Sequence, residues 1–356
     1  MTMMLMVAAG GLLAGFLLLW RVPVCPPAEP GEDASVSVII PARNEERNLP
    51  LLLDSILRSP RRPAEVIVVD DASTDRTAEI AGTRGARVIQ SEDLPRGWTG
   101  KTWACHQGAL AARHDRLLFL DADTRFEPDG FDKVAACFEK LPRDAAFSVL
   151  PFHATEKSYE ELSIFFHLLM AMGAGLFGKL GESRLFGQSL MTSKEVYERS
   201  GGHRAVRDHI LENFALSSHV YAAGAECFAR GGRGTLTMRM FPDGFAQLCE
   251  GWGKAFADGA ATVQPAILIT SVYWLASACF TFLYLLIPSN TWYAWALALY
   301  FCFALQLFWF SRQIGSYRVT TCLLYPVPLL FYFAVFGRSF YRRLFRRSVV
   351  WRGREI

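Results

Sequence analysis

Three stretches of this chain are too apolar to stay in water, and they limit what the rest can become. Residues 3–20, 265–288 and 291–310 carry no charge at all, and only Ser289-Asn290 separates the last two. A bilayer interior offers no partner for backbone N–H and C=O groups, so runs of this length must close their own hydrogen bonds as helices. The first run reads as an uncleaved anchor, because Arg21 follows it, whereas a cleavable signal carries its positive charge before the apolar stretch. The other two read as a helical hairpin. A fourth run, Val319 to Phe336, contains Pro326 and Pro328. Behind it, Arg338, Arg342, Arg343, Arg346, Arg347, Arg352 and Arg354 face the single acid Glu355. The positive-inside rule places Arg21, the Arg312/Arg318 loop and this tail all in the cytoplasm. A full crossing by the fourth run would carry the tail outside, so that run is expected to be re-entrant or interfacial. The formal net charge of +3 conceals a basic excess at the membrane surface, which suits anionic lipid headgroups and not nucleic acid. The eight cysteines form no CxxC pair and no metal-ligand spacing, in keeping with a reduced compartment.

Between the anchors the pattern changes. A proline-rich linker over 22–34 leads into alternating strand and helix signals, the mark of a parallel α/β sheet. "VSVIIPARNEE" gives a strand ending at Pro41, and "NLPLLLDSILRS" has helical spacing. "EVIVVDDASTDRTAEIA" gives a second strand and a helix from about Asp75, "ARVIQ" a third strand, and "RLLFLDAD" a fourth. Each polar cluster falls at the carboxyl end of a strand, where open α/β sheets bind ligands.

The chemistry concentrates there. Alternation along the fourth strand would send Asp121 and Asp123 to one side, with Ala122 opposite. Two carboxylates on one spot repel unless a cation lies between them, and Mg²⁺ or Mn²⁺ shared with substrate phosphates is the natural choice. The plain alternative is an exposed turn. Asp70 and Asp71 can accept from a uracil imide and ribose hydroxyls, while Asp75 or Ser73 caps the next helix. Pro41, Asn44 and Glu45 end the first strand in the same way and are assigned to the nucleotide with them, although Asn44 could equally be a cap. Lys101 opens a helix in "RGWTGKTWACHQGAL" and is a candidate diphosphate contact or merely a solvated lysine. There is no Walker A loop and no G-x-S-x-G elbow.

"VIIPARNEE", "VIVVDDASTDRT", "GWTGKTWACHQG" and "LFLDADT", in that order, resemble the family-2 glycosyltransferases of GT-A fold over about residues 35–150. Within that family, "ILENFAL", "FPDGFAQLCEGWGKAFADGA" and "VVWRGREI" look most like the membrane enzymes that glycosylate carotenoid acids, the diaponeurosporenoate glycosyltransferases. The resemblance implies an α/β GT-A Rossmann-like nucleotide-sugar domain flanked by transmembrane helices. It implies a metal on Asp121 and Asp123, uridine on acids matching Asp70 and Asp71, and inversion at the anomeric carbon. Two departures stand out. Where many members carry Glu-Asp at the acceptor base, this chain has Glu212-Asn213. The QxxRW of processive synthases is absent; Gln247 is followed by Trp252, taken as the acceptor-side stacking residue or as simple packing. Asp208 and His209 complete the acceptor-side candidates. The uncharged stretch 162–178 is expected as an interfacial helix, and His167 on it as a core or interface histidine.

The expected organisation is therefore an anchor over 1–21, a linker over 22–34, and a cytoplasmic GT-A domain over 35–263. That domain splits into a donor half, 35–150, and an acceptor half, 151–263. Membrane segments over 264–337 and a basic tail over 338–356 follow. The expected protein is a multi-pass plasma-membrane enzyme moving one hexose, glucose first, from a UDP sugar to a lipid, a carotenoid carboxylic acid above all. A polyprenyl phosphate, hopanoid or sphingolipid-like alcohol is the alternative acceptor, and an inactive nucleotide-sugar-binding scaffold the alternative of another class. The seven tail arginines predict that a tag after Ile356 resists external protease in intact cells. Its digestion from outside would overturn the re-entrant reading of residues 319–336.

Overall fold

The computed structural model describes residues 2–29, 33–176, 180–287, 293–344, 350–351 and 354–355. The Ser289-Asn290 link and Arg346, Arg347 and Arg352 of the tail lie outside them. The chain forms two compact units, one of residues 23–152 and 183–239, the other of 1–22, 153–182 and 240–356. This division cuts through the stretch 151–263 expected as the acceptor half.

In the first unit the strands are β1 (Ala34–Ala42), β2 (Pro63–Asp70), β3 (Arg87–Gln90), β4 (Arg116–Leu120), β5 (Thr124–Phe126), β6 (Ala145–Leu150), β7 (Ser189–Ser193), β8 (Glu226–Gly231) and β9 (Leu236–Met238). Seven of them form one sheet in the order β3-β2-β1-β4-β7-β6-β8. The first four run parallel, as their sequence alternation with helices requires. β7 runs antiparallel to both β4 and β6, so the sheet is mixed, and a parallel sheet alone was expected. β5 and β9 pair antiparallel in a small separate sheet.

Alternation along β1 explains why the sheet is covered on both faces. Val36, Val38 and Ile40 enter one core with Leu49, Leu52 and Ile56 of the helix Leu49–Leu57 and Phe131 and Val134 of the helix Gly130–Glu139. Ile39 enters the other, with Ala104, Cys105 and Ala109 of the helix Gly100–Ala111 and Leu216 and Val220 of the helix Glu212–Ala222. Each fully buried side chain of this kind stabilises the fold by roughly 1.5–3 kcal/mol. The helix Gly100–Ala111 lies so close to β1 that a Cβ on Gly108 would fall 2.4 Å from Ile39 Cγ2. Only glycine permits that approach, and it sets where Lys101 begins.

In the second unit, the helices Pro265–Leu285 and Tyr293–Ile314 are each long and apolar enough to cross a membrane. The helix Thr2–Leu19 packs on both. Ser277 Oγ donates to Val7 O at 3.2 Å, and Gln306 donates to Leu12 O at 2.6 Å while accepting from Trp274 Nε1 at 2.8 Å. Small residues allow the approach, as they do in helix pairs within lipid. A Cβ on Gly11 would sit 2.2 Å from Ser277 Cβ. The fourth apolar run is broken where its prolines stand, into helices Val319–Leu323 and Pro326–Leu344. Tyr325, at the break, donates to Ala278 O at 3.1 Å and stacks on Tyr300 with ring centroids 4.8 Å apart. From there Tyr332 returns to Phe166 at 5.0 Å.

One expectation is corrected. The helix Ile164–Gly173 is not interfacial but a core helix, with residues 164–168 and 171–173 all buried. Its apolar residues run all round the axis, and a helix without a polar face is stable only when enclosed. His167 is accordingly a core histidine, with Tyr317 and Met240 as its hydrogen-bond partners. Replacing Gly11 by Leu should lower the thermal midpoint of the purified chain, by an amount equivalent to about 1–3 kcal/mol of overpacking. An unchanged midpoint would show that the helix 2–19 does not need this contact.

Candidate active site

The carboxyl ends of β1, β2 and β4 bring two clusters together. At the end of β2, Asp70 and Asp71 are buried. Asp71 N donates to Ala42 O at 2.8 Å, and its carboxylate lies 3.5 Å from Arg43. Asp70 Oδ1 is buried with no hydrogen-bond partner among the described residues. A buried acceptor of this kind leaves room for a donor from water or a ligand. Asn44, with φ of 55°, is already engaged: its Oδ1 accepts from Thr74 N at 2.8 Å. Glu45 accepts from Asn48 Nδ2 at 2.8 Å, and its own N–H donates to Thr77 Oγ1. Asp75 accepts from Thr77 N at 3.0 Å and Glu46 N at 3.1 Å. Burial would raise its pKa, but a hydrogen bond from the Thr77 hydroxyl together with these two N–H groups outweighs that and holds it below the ordinary aspartate value. Asn44 and Asp75 thus shape the loops around the nucleotide candidates, with Pro41 in the last turn of strand, paired with Val69.

The second cluster gathers on Lys101. Thr99 caps the helix, and Thr99 N and Thr102 Oγ1 both donate to Arg207 O, at 2.8 and 2.7 Å. From this anchored turn, Lys101 Nζ reaches Asp121 Oδ1 and Glu212 Oε1, each at 2.7 Å, and donates to Gly187 O at 2.9 Å. Burial alone would lower the lysine pKa, but the carboxylates of Asp121 and Glu212 more than offset it, and Lys101 stays charged. Glu212 is almost fully enclosed, with 3 % of its side chain exposed. Burial raises its pKa; Lys101 opposes the rise without cancelling it.

Asp121 and Asp123 do not sit as strand alternation predicted. β4 stops at Leu120, and Thr124 closes a turn by donating from N and Oγ1 to Asp121 O, at 3.1 and 2.7 Å. Residues in a turn do not obey the two-residue period of a strand, so that argument for their direction fails, although both still stand at the end of the central strand. Asp121 N donates to Gln188 O at 3.1 Å. The segment Phe186-Gly187-Gln188 therefore takes part in the site, and sequence reasoning passed over it. The available signal was a polar Gly-Gln pair set directly before the strand Ser189–Ser193.

Asn213 also differs from expectation. Its Nδ2 donates to Phe186 O at 3.0 Å and Gly187 O at 3.3 Å, so the amide has no N–H to offer an acceptor carboxylate. Asp208 and His209 are exposed and pair with each other at 2.9 Å. Gln247 and Trp252 belong to the other unit. Gln247 bonds Asp243, which precedes its helix, while Trp252 stacks on Phe166 at 4.7 Å and donates to Ser163 Oγ at 2.9 Å. These contacts engage the Gln247 amide and the Trp252 indole N–H.

Among the described residues no group of three or more His, Cys, Asp or Glu side chains could hold a metal ion. A hard divalent ion shared with phosphates needs only one or two carboxylates, and the Lys101 ammonium against Asp121 shows that this position accepts positive charge.

The family model for glycosyl transferase family 2 matches residues 37–214, the span that holds both clusters. The chain belongs to that family. This family-2 chain is 33% identical over 335 residues to 4,4'-diaponeurosporenoate glycosyltransferase of Staphylococcus aureus strain USA300, covering 90% of this chain and 88% of the relative. The protein of the same name from strain MRSA252 is 32% identical over 331 residues, with coverage of 90% and 88%. Among solved structures, a mannosyltransferase of Pyrobaculum calidifontis, in complex with GDP-Man and Mn²⁺, superposes with a TM-score of 0.58 at 17% identity, covering 97% of this chain and 98% of that one. That likeness establishes a shared GT-A-like α/β fold.

Lys101→Met should destabilise the family-2 domain by about 3 kcal/mol, at the low end for a broken buried pair because the lysine is partly exposed. The loss should deepen with pH. A carboxyl whose folded pKa lies above its unfolded value keeps its proton in the native state while the unfolded chain releases one, so stability falls as pH rises from about 4.5. Thermal midpoints of wild type and variant between pH 4.5 and 8 check this; parallel curves would show that Lys101 does not neutralise Glu212.

Proposed function

We propose that the protein is a membrane-bound inverting glycosyltransferase moving one hexose, glucose first, from a UDP sugar to a carotenoid carboxylic acid. The observation that carries this reading is the pairing of Asp121 with a cation at the end of the central strand, beside a Glu212 already committed to the same lysine. Asp121 and Asp123 would hold Mg²⁺ or Mn²⁺, which when bound offsets charge on the departing diphosphate. Asp70 and Asp71 would hold the uridine, the first through its unpartnered Oδ1. Lys101 is positioned to turn from its carboxylates to a diphosphate oxygen, keeping positive charge at the leaving group.

In the reaction a carboxylate oxygen of the acceptor attacks the anomeric carbon. The bond to the diphosphate oxygen breaks, UDP leaves with the electron pair, and a glycosyl ester of inverted configuration forms. An alcohol acceptor would need a positioned base to take its proton. A carboxylic acid titrates near pH 4 to 5, about where Glu does, and arrives ionised. Asn213 cannot act as a base, and Glu212 is bound to an ammonium, so the arrangement suits an acceptor that needs none. One feature favours the alcohol reading instead: the raised pKa of Glu212 suits a proton acceptor once Lys101 moves away. The helices 265–285 and 293–314, with 2–19, would hold the chain in the membrane that carries so apolar an acceptor.

The product distinguishes the two readings. Incubated with UDP-glucose, Mn²⁺ and a carotenoid acid, the protein should release UDP and form a glycoside that mild hydroxylamine cleaves. A hydroxylamine-stable glycoside would replace the acid with an alcohol acceptor, and UDP binding without release would point to a scaffold.

A further inference from the structure

Asn213 stands second in the helix Glu212–Ala222 and is 2 % exposed. An amide's oxygen and nitrogen are usually interchangeable in a structure, but here the surroundings fix them. The two groups that Nδ2 meets, Phe186 O and Gly187 O, are carbonyl oxygens and can only accept. Reversing the amide would set three acceptors against one another. The oxygen Oδ1 is therefore held on the opposite side, where it is buried and has no hydrogen-bond partner among the described residues.

The position of this acceptor matters. Gly187 O, which anchors Nδ2, also receives Lys101 Nζ at 2.9 Å, and the next residue, Gln188, receives Asp121 N through its backbone oxygen. Asn213 Nδ2 and Lys101 Nζ share Gly187 O, so the amide belongs to the same small assembly as the Lys101 ammonium and Asp121. Gln188 Oε1 is likewise buried with no hydrogen-bond partner among the described residues, which gives this assembly a second such polar group. A buried polar atom without a partner calls for a reason, and two of them beside the Lys101 ammonium and Asp121 point to a ligand.

The chemistry of Oδ1 narrows that ligand. It can only accept, so it repels a diphosphate oxygen and an ionised acceptor carboxylate alike. It pairs with an O–H, an N–H or a cation, and the cation proposed above belongs with Asp121 and Asp123. Of the parts of a nucleotide sugar, the base imide and the ribose belong with Asp70 and Asp71 at the end of β2. The remaining donors are the hydroxyls of the hexose, which hangs from the diphosphate and must lie at its far end.

We propose that Asn213 Oδ1 accepts a hydrogen bond from one hydroxyl of the transferred hexose, so that Glu212-Asn213 reads the donor sugar instead of activating the acceptor. This rests on the reading above that the crevice holds a nucleotide sugar. A site built to hydrogen-bond a hydroxyl discriminates strongly against an analogue lacking it, because its own polar atom is then left unpartnered. An aspartate at 213 would oppose two carbonyl oxygens and lose the orientation, so the amide is needed for the geometry as well as for its neutrality.

The test is a titration of the full chain in detergent with Mn²⁺ and no acceptor, using UDP, UDP-glucose and its 2-, 3-, 4- and 6-deoxyfluoro analogues. Fluorine keeps the ring shape but cannot donate. Wild type should bind one analogue about tenfold more weakly than UDP-glucose, equivalent to about 1.4 kcal/mol. For Asn213→Ala, that ratio should collapse to within about twofold while the ratios for the other analogues stay as in wild type, the signature of a direct pair in a double-mutant cycle. UDP, which has no hexose, is the reference ligand for each protein. Equal affinity of wild type for all four analogues overturns the proposal whatever the variant does, and so does a tenfold ratio that persists in Asn213→Ala. Failure of wild type to bind UDP-glucose at all overturns the donor assignment of the proposed function and this inference with it.

Discussion

The site depends on one ammonium group shared between two carboxylates. Lys101 lies 2.7 Å from both Asp121 and Glu212, and without it two acids, one almost fully enclosed, would face each other in a place with little water to screen them. That single charge lets Glu212 be buried at the start of its helix and keeps Asp121 beside a positive charge at the end of the central strand. It also links the end of the central strand with the start of the helix Glu212–Ala222. A lysine is suited to this, because its flexible stem allows the ammonium to leave one oxygen for another.

The position of Lys101 begins with the packing of one helix on one strand. Gly108 brings the helix Gly100–Ala111 into contact with Ile39, and Thr99 and Thr102 fasten its first turn to Arg207 O. β1 in turn sits between β2 and β4, whose carboxyl ends supply Asp70, Asp71 and Asp121. The nucleotide candidates and the metal candidates are thus neighbours because three parallel strands end at one edge. The loops there hold their shape through side chains, Asn44 and Asp75 above all, that bond the backbone of the facing loop.

The parallel strands of the α/β sheet were readable in the sequence because their signals are local. A buried parallel strand shows as a continuous apolar run, and its end shows as the first polar residue, so "VIVVDD" and "LLFLDAD" mark the sheet and its functional edge together. Where the reading failed, the deciding partner was distant. Strand alternation could not place Asp121 and Asp123, since Thr124 turns the chain at once. The stretch 162–178 carries no sign of whether lipid or protein will cover it, and the aromatic rings of Trp252, Trp274 and Tyr332 that enclose Phe165 and Phe166 lie 86 or more residues away in sequence. Asn213 looked like a donor until Phe186 and Gly187 occupied its N–H groups.

By itself the sequence determined the kind of protein: apolar runs that must be helices, an α/β sheet with acids at its strand ends, and four motifs in family order. These follow from periodicity, from hydrogen-bond closure in an apolar medium and from the spacing of polar residues, all of which act over a few tens of residues. Only the tertiary structure decided which atoms remain available. Lys101 is spent on Asp121 and Glu212, Gln247 on Asp243 and Trp252 on Phe166, while Asp70 Oδ1 and Asn213 Oδ1 are left over. Whether a polar atom is satisfied depends on what the whole fold brings within 3 Å of it, and no local pattern encodes that.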